Sequence, residues 1–169
     1  MNWTSIDSPI GPLLIAVEQD QLCAIEFGDD EQAVERLRLW VKNRFPTSDW
    51  IQTERDRDSV LAEVAKQLEQ YFAGERMGFD VPVNLRGTPF QLRVWEALRS
   101  IPYGQTRSYK DIAEQIDSRK AVRAVGGANN RNPLPIIVPC HRVIGAKGAL
   151  VGYGGGLHIK EKLLQLEGL

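Results

Sequence analysis

The sequence predicts an α/β N-terminal domain followed by a mainly α C-terminal domain. Three observations lead there. Strand-like runs sit beside helical stripes in the first half, while helical spacing dominates the second. The charge divides along the chain: residues 1–85 carry 8 Lys and Arg against 16 Asp and Glu, a net −8. Residues 86–169 carry 13 against 6, a net +7, so the overall −1 hides an acidic half and a basic half. Between them lies "FDVPVNLRGTPF", with two prolines and a glycine. These features place an acidic domain at 1–80, a linker at 81–87 and the second domain at 88–169.

In the first half, "GPLLIAVEQDQLCAIEF" reads as two apolar strands joined by a polar turn. Cys23 falls inside the second strand and reads as a buried structural thiol. "EQAVERLRLWVKNRF" places Ala33, Val34, Leu37, Trp40 and Val41 on one helical stripe. "SVLAEVAKQLEQYFAG" does the same with Val60, Leu61, Val64, Leu68, Tyr71 and Phe72, and Gly74 suits the helix stop. The intervening "PTSDWIQTERDRD" reads as a loop with a short strand. None of this carries evident chemistry.

The second half opens on a helix start: Thr88 as N-cap, Pro89 at the first position and Gln91 completing a capping box. Phe90, Val94, Leu98 and Ile101 follow at helical spacing, with Trp95 packing on the flank and "IPYG" ending the helix. Ser108 and Asp111 then cap a short helix with Ile112, Ala113 and Ile116 inward. Ser118 is the expected cap of the next, with Ala121, Val122 and Val125 inward and Arg119, Lys120 and Arg123 outward. Two short helices about a tight turn match a helix-turn-helix, and a basic face suits a polyanion. An ordinary αα-hairpin with a solvated basic face is the alternative. The second helix, "AVRAVGGA", is nearly all small residues around one arginine. Its two glycines cost about 1 kcal/mol each against alanine, which is explicable if another surface approaches the backbone closely.

Near the C-terminal third, "NPLPIIVPCHRVIG" brings one of two cysteines directly before one of two histidines. Cys140 could be core filler, a metal ligand or a nucleophile. Two cysteines and two scattered histidines are too few for a closed zinc site. A thiol in apolar surroundings is inert until a base takes its proton. His141 is the candidate base, yet neighbours in an extended chain point to opposite faces, so a bridging water or a local turn is required. A third group orienting the imidazole is also expected. Glu167, in "LQLEG", reads on spacing alone as a solvated helix-end residue.

The composition, 43% hydrophobic and 25% charged, is that of a globular protein with no long biased tract. No run approaches the ~18 apolar residues of a membrane span. "MNWTSIDSPIGP" has neither the basic flank nor the apolar core of a secretory signal. With two distant cysteines, these features predict a cytoplasmic protein without disulfides and without membrane partners.

"VPCHRVIG", preceded by "AVRAVGGANNRNP" and followed by "GYGGGLHIKEKLLQLEG", resembles the O6-alkylguanine-DNA alkyltransferases, the methylated-DNA–protein-cysteine methyltransferases, in their bacterial form. The likeness spans residues 86–169. In the first half it is confined to "SPIGPLLIAV" and "YFAG". It implies a ribonuclease-H-like N-terminal domain, a winged helix-turn-helix C-terminal domain and no cofactor. The implied partner is double-stranded DNA containing O6-alkylguanine, entered from the minor groove by a monomer, with cooperativity on DNA left open.

The implied roles follow residue by residue. Cys140 would accept the alkyl group, His141 would deprotonate it through a water, and Glu167 would orient His141. Asn132 would brace the turn and hydrogen-bond near the thiol. Tyr109 would rotate the nucleotide's phosphate, and Tyr153, Val143 and the backbone of Gly154, Gly155 and Gly156 would hold the flipped base. Arg123 would fill the stack, with Ala121, Ala124, Gly126, Arg119 and Lys120 against the DNA. Gly154 stands where some members carry serine, and Asn129 where others carry methionine. The metal ligands of some relatives are missing, so the resemblance implies no zinc. Three rivals stand beside transfer: a lesion binder that flips the base without reacting, a thiol-sensing regulator, and a thiol hydrolase that would leave "GGANNRNP" unexplained.

Overall fold

The computed structural model describes residues 1–169 and divides into two compact units, Met1–Arg86 and Gly87–Leu169. In the first unit the predicted hairpin forms from β2 (Leu13–Glu18) and β3 (Gln21–Phe27), with Glu18 opposite Gln21. The two turn residues, Gln19 and Asp20, take φ of 48° and 61°, the backbone of a type I′ turn whose twist matches the strands. Leu13 to Val17 are all buried, so both faces of β2 are covered. Leu14 and Ala16 share a core cluster with Ala33, Leu37 and Val41 of α1 (Glu31–Arg44), while α2 (Ser59–Phe72) also packs on the strands.

A strand that the hydrophobic pattern did not announce, β1 (Asn2–Ile6), pairs antiparallel with β2 and parallel with β4 (Ile51–Gln52), giving the order β3-β2-β1-β4. Its residues mix polar and apolar types, and pairing with β2 along its whole length fixes them as a strand. Cys23 is fully buried and its thiol is pushed up to about 11, chiefly by desolvation, as befits a structural cysteine. Part of the segment read as a linker is instead held against β3: Leu22 N–H donates to Pro82 O at 2.8 Å and Asn84 N–H to Leu22 O at 2.9 Å.

In the second unit, α3 (Pro89–Arg99) starts in the predicted capping box of Thr88 and Gln91. Trp95 is buried and its indole N–H donates to Ala128 O at 2.9 Å, tying α3 to α5 (Val122–Asn130). Ser108 and Asp111 form the reciprocal cap of α4 (Tyr109–Gln115). Ser118 does not cap α5: its hydroxyl donates to Ile116 O, and the helix starts from Ala121 without a side-chain cap. Arg119 and Lys120 therefore lie in the turn between the helices, and only Arg123 of the three cations is helical. The competing acceptor is the freed carbonyl at the end of α4, which satisfies the serine locally. α3, α4 and α5 pack mutually. The chain then runs through the thiol segment to α6 (Leu157–Leu166).

Candidate active site

The backbone around Cys140 is fixed by short-range hydrogen bonds. Asn132 Oδ1 accepts from Leu134 N–H at 3.0 Å and its Nδ2 donates to Val138 O at 2.8 Å, closing the intervening loop. Inside it, Ile136 holds φ of 75° although it is β-branched, a conformation costing about 1–3 kcal/mol that the surroundings must enforce. Here the enforcement is burial of Ile136 together with Leu134 and Val138. Pro139 then takes φ −79°, ψ 65°, with Cys140 N–H donating to Val138 O at 2.7 Å. That is an inverse γ-turn, for which proline's fixed φ is suited.

Cys140–Arg142 form one turn of 3-10 helix, so the extended geometry that would separate the thiol from the imidazole does not occur. Val143–Ile144 (β6) next pair in parallel with Arg107–Ser108 (β5), immediately before α4. The first helix of the candidate helix-turn-helix is thereby anchored to the reactive segment.

Glu167 is buried, against its solvated reading from spacing. The chain end explains why. Gly168 takes φ 87°, Gly168 N–H donates to Gln165 O and Leu169 N–H to Leu164 O, each at 3.0 Å. This Schellman closure of α6 turns Glu167 inward. His141 Nε2 lies 2.5 Å from Glu167 Oε2, and both side chains are inaccessible to solvent. The other oxygen, Oε1, accepts from Arg142 Nε at 2.7 Å and from Gly104 N–H at 3.2 Å. His141 is held below its usual range, first by desolvation and then by the Arg142 and Lys160 charges, against the opposing pull of Glu167. Its Nδ1 makes no hydrogen bond to the protein.

Burial pushes the Cys140 thiol up, outweighing hydrogen bonds from Asn132 and Tyr153 and the Lys160 charge. The resting site is a neutral thiol beside a neutral imidazole, the arrangement in which a proton must move before sulfur can attack. Lys160 reaches the same place from α6: its Nζ donates to Val143 O at 2.5 Å and to Val151 O at 3.1 Å. Val151 O also accepts from the Tyr109 hydroxyl at 3.0 Å. The structure thus gathers Cys140, His141, Glu167, Asn132, Tyr109, Tyr153 and Val143 about one point.

The remaining sequence-derived residues form two other groups. Gly154 and Gly155 precede Gly156, the N-cap of α6 at φ 97°, and a Cβ added at Gly154 would meet nothing within 4 Å. Arg123 and Ala124 are exposed on α5, Ala121 and Gly126 partly so, and Arg119 and Lys120 exposed in the preceding turn. A Cβ at Gly127 meets nothing, and one at Gly126 only the Tyr109 ring at 3.9 Å, so this helix face is smooth.

Sequence reasoning missed Arg142 and Lys160. A lysine three and four residues from Leu163 and Leu164, on their apolar stripe, was the available signal for the second. Among all residues no cluster of three or more His, Cys, Asp or Glu could hold a metal ion, and no helix is long and apolar enough to cross a membrane.

Comparison with known proteins adds the family. Residues 89–169 match the 6-O-methylguanine DNA methyltransferase DNA-binding domain, and residues 1–85 the ribonuclease-like domain of the same proteins. A methylated-DNA–protein-cysteine methyltransferase of Methanosarcina acetivorans is 48% identical over 168 residues, covering 99% of both chains. The constitutive enzyme of that name from Bacillus subtilis is 46% identical, covering 98% of this chain and 94% of its own. Mycobacterium tuberculosis O6-methylguanine methyltransferase superposes with a TM-score of 0.82 at 48% identity, covering 98% of this chain and 92% of that one. A structure of the mycobacterial protein in complex with DNA matches with the same TM-score at 46% identity, covering 99% and 92%. With both of its halves matched and relatives alike over nearly their whole length, the chain belongs to the 6-O-methylguanine DNA methyltransferase family.

Proposed function

We propose that this protein repairs DNA by moving the alkyl group of O6-alkylguanine irreversibly onto Cys140. The observation that carries the reading is the buried His141–Glu167 pair beside a thiol held neutral by desolvation. In the reaction the thiol proton passes through a water to His141 Nδ1. Sγ then attacks the alkyl carbon in an SN2 displacement: the S–C bond forms as the C–O bond breaks, and guanine leaves as its anion. Tyr153 donates toward O6 as charge develops there. Asn132 positions the thiol segment, and Val143 with the Gly154–Gly155 backbone shapes the base pocket.

The product is a thioether, with no carbonyl for water to attack and no easy leaving group. The protein therefore reacts once and stops. O4-alkylthymine presents the same kind of alkyl–oxygen bond and is a second substrate on that chemistry.

Delivery of the base rests on the second domain acting as a winged helix-turn-helix, the first being a ribonuclease-H-like domain, in a cytoplasmic monomer. α5 enters the minor groove, where Ala121, Ala124 and Gly126 allow close approach. Arg123 takes the place of the extruded nucleotide, Tyr109 turns its phosphate, and Arg119 and Lys120 face phosphates.

The test is incubation of an O6-[³H-methyl]guanine duplex with excess protein, scored as label on the chain. Label saturating at no more than one per chain supports the reading. Tight binding without transfer would establish the lesion binder instead, and many labelled products per chain would overturn the single-turnover argument. Arg123→Ala should slow reaction with the duplex at least tenfold more than with the free base analogue, by the few kcal/mol that flipping costs. Equal losses would remove Arg123 from that role.

A further inference from the structure

Arg142 is a buried cation to which the transfer chemistry gives no task. Its Nη1 donates to Ile101 O at 2.7 Å, its Nε to Glu167 Oε1 at 2.7 Å, and its guanidinium lies 5.7 Å from the Tyr103 ring centroid. A buried ion pair is seldom retained for stability alone, because desolvation offsets much of its attraction. The arrangement on Glu167 suggests what it does. One oxygen of the carboxylate faces His141 and the other faces Arg142 and Gly104 N–H, so the carboxylate is divided between an imidazole and a guanidinium.

A lone buried carboxylate against an imidazole would draw a proton onto the ring and hold it as imidazolium. An imidazolium cannot accept the thiol's proton. The guanidinium supplies the positive charge permanently, so the ring can stay neutral. Glu167 also sits at the C-terminal end of α6, where the helix dipole disfavours an anion, a further reason for a fixed cation there.

We infer that Arg142 is a positioning residue that reserves His141 as a base, by neutralising Glu167 so that the ring rests as the Nε2–H tautomer with a free Nδ1 lone pair. The inference rests on the alkyl-transfer reading but not on its success as an assay. The charged groups acting on the ring are Glu167 and Lys160 from the last helix and its cap and Arg142 from its own turn, and the Cys140 thiol belongs to that same turn. Of the two cations, Arg142 donates to the carboxylate and Lys160 to the Val143 and Val151 carbonyls. No proton leaves the set in the resting state: Nε2–H stays with Glu167, and the thiol's proton later arrives at Nδ1.

The experiment is nitrogen NMR of His141 in the full chain, read beside the pH profile of label transfer. In the unaltered protein the two ring nitrogens should report the neutral Nε2–H tautomer at pH 7; an imidazolium there overturns the inference outright. Arg142→Gln keeps a donor for Ile101 O but loses the charge. It should raise the His141 midpoint above pH 7 and slow transfer at pH 7 about tenfold for each unit the midpoint rises above it, with recovery at alkaline pH. Arg142→Lys should keep both the neutral ring and the original profile. A folded Arg142→Gln protein with an unmoved midpoint and profile, changed only in thermal stability, would show Arg142 to be structural. If Arg142→Gln does not fold, the tautomer of the unaltered protein and the profile of Arg142→Lys decide. Absence of transfer in every variant, with the tautomer as expected, would strike the function and leave the charge arrangement standing.

Discussion

Replacing Cys140 by alanine is expected to reduce transferred label from one per chain to none, while the altered protein still binds the lesion-containing duplex. Nothing else near the site offers a substitute nucleophile. Cys23 lies in the other unit, fully buried with its thiol raised to about 11, and Lys160 is engaged by two carbonyls. Binding should persist because α5 and the turn before it present their exposed residues independently of the sulfur. The fold should persist too: losing one buried sulfur costs about 1 kcal/mol, close to that of a methylene. Scintillation counting of the chain and fluorescence anisotropy of labelled duplex check the two halves of the expectation. Label on the alanine variant would mean that another residue accepts the alkyl group.

Glu167→Gln is expected to act on both rate and stability. The amide keeps the shape but cannot hold the imidazole's Nε2–H and the guanidinium with the same strength, and it removes the only carboxylate on Arg142. Leaving a buried cation without its partner costs about 3–5 kcal/mol, which thermal unfolding would register directly. Transfer should slow by roughly 10²–10⁴-fold, the span attributed to a positioned acid–base group. The sign on the ring is opposite to that of Arg142→Gln: Glu167 pulls the His141 midpoint up, so removing its charge lowers it further. The ring then remains neutral but a weaker base, and alkaline pH should not restore the rate. Restoration there would contradict the role given to Glu167.

How far the sequence could be read depended on whether the deciding interactions were local. The hairpin at Gln19–Asp20, the capping boxes at Thr88 and Ser108 and the apolar stripes of α1 and α2 were all legible, since each is settled within a few residues. β1 was not, because "NWTSI" mixes polar and apolar residues with no clean alternation, and it is the ladder with β2, with Ile6 opposite Leu13, that makes it a strand. The cap of α5 went astray because Ser118 had a nearer acceptor in Ile116 O. At the site, Cys140 and His141 drew notice by type and adjacency. Glu167 did not, because its burial follows from a helix-end turn and a partner 26 residues away. Only likeness to a family linked it to the thiol. Arg142 gave no local signal because its partners, Glu167 and Ile101 O, lie 25 and 41 residues away, and Lys160 was hidden by the ordinary expectation that lysine is solvated.

The same desolvation that raises the Cys140 thiol has a consequence for endurance. A molecule consumed by its first encounter must survive the interval before it without losing its thiol to an oxidant or a stray electrophile. A buried, protonated thiol reacts slowly with such agents, whose target is the exposed thiolate. Cys140 has a relative exposure of 4% and its sulfur is kept neutral, so the chain is stored in unspent form. Its shelf life, as much as its reaction rate, sets how much damage a given number of copies can remove.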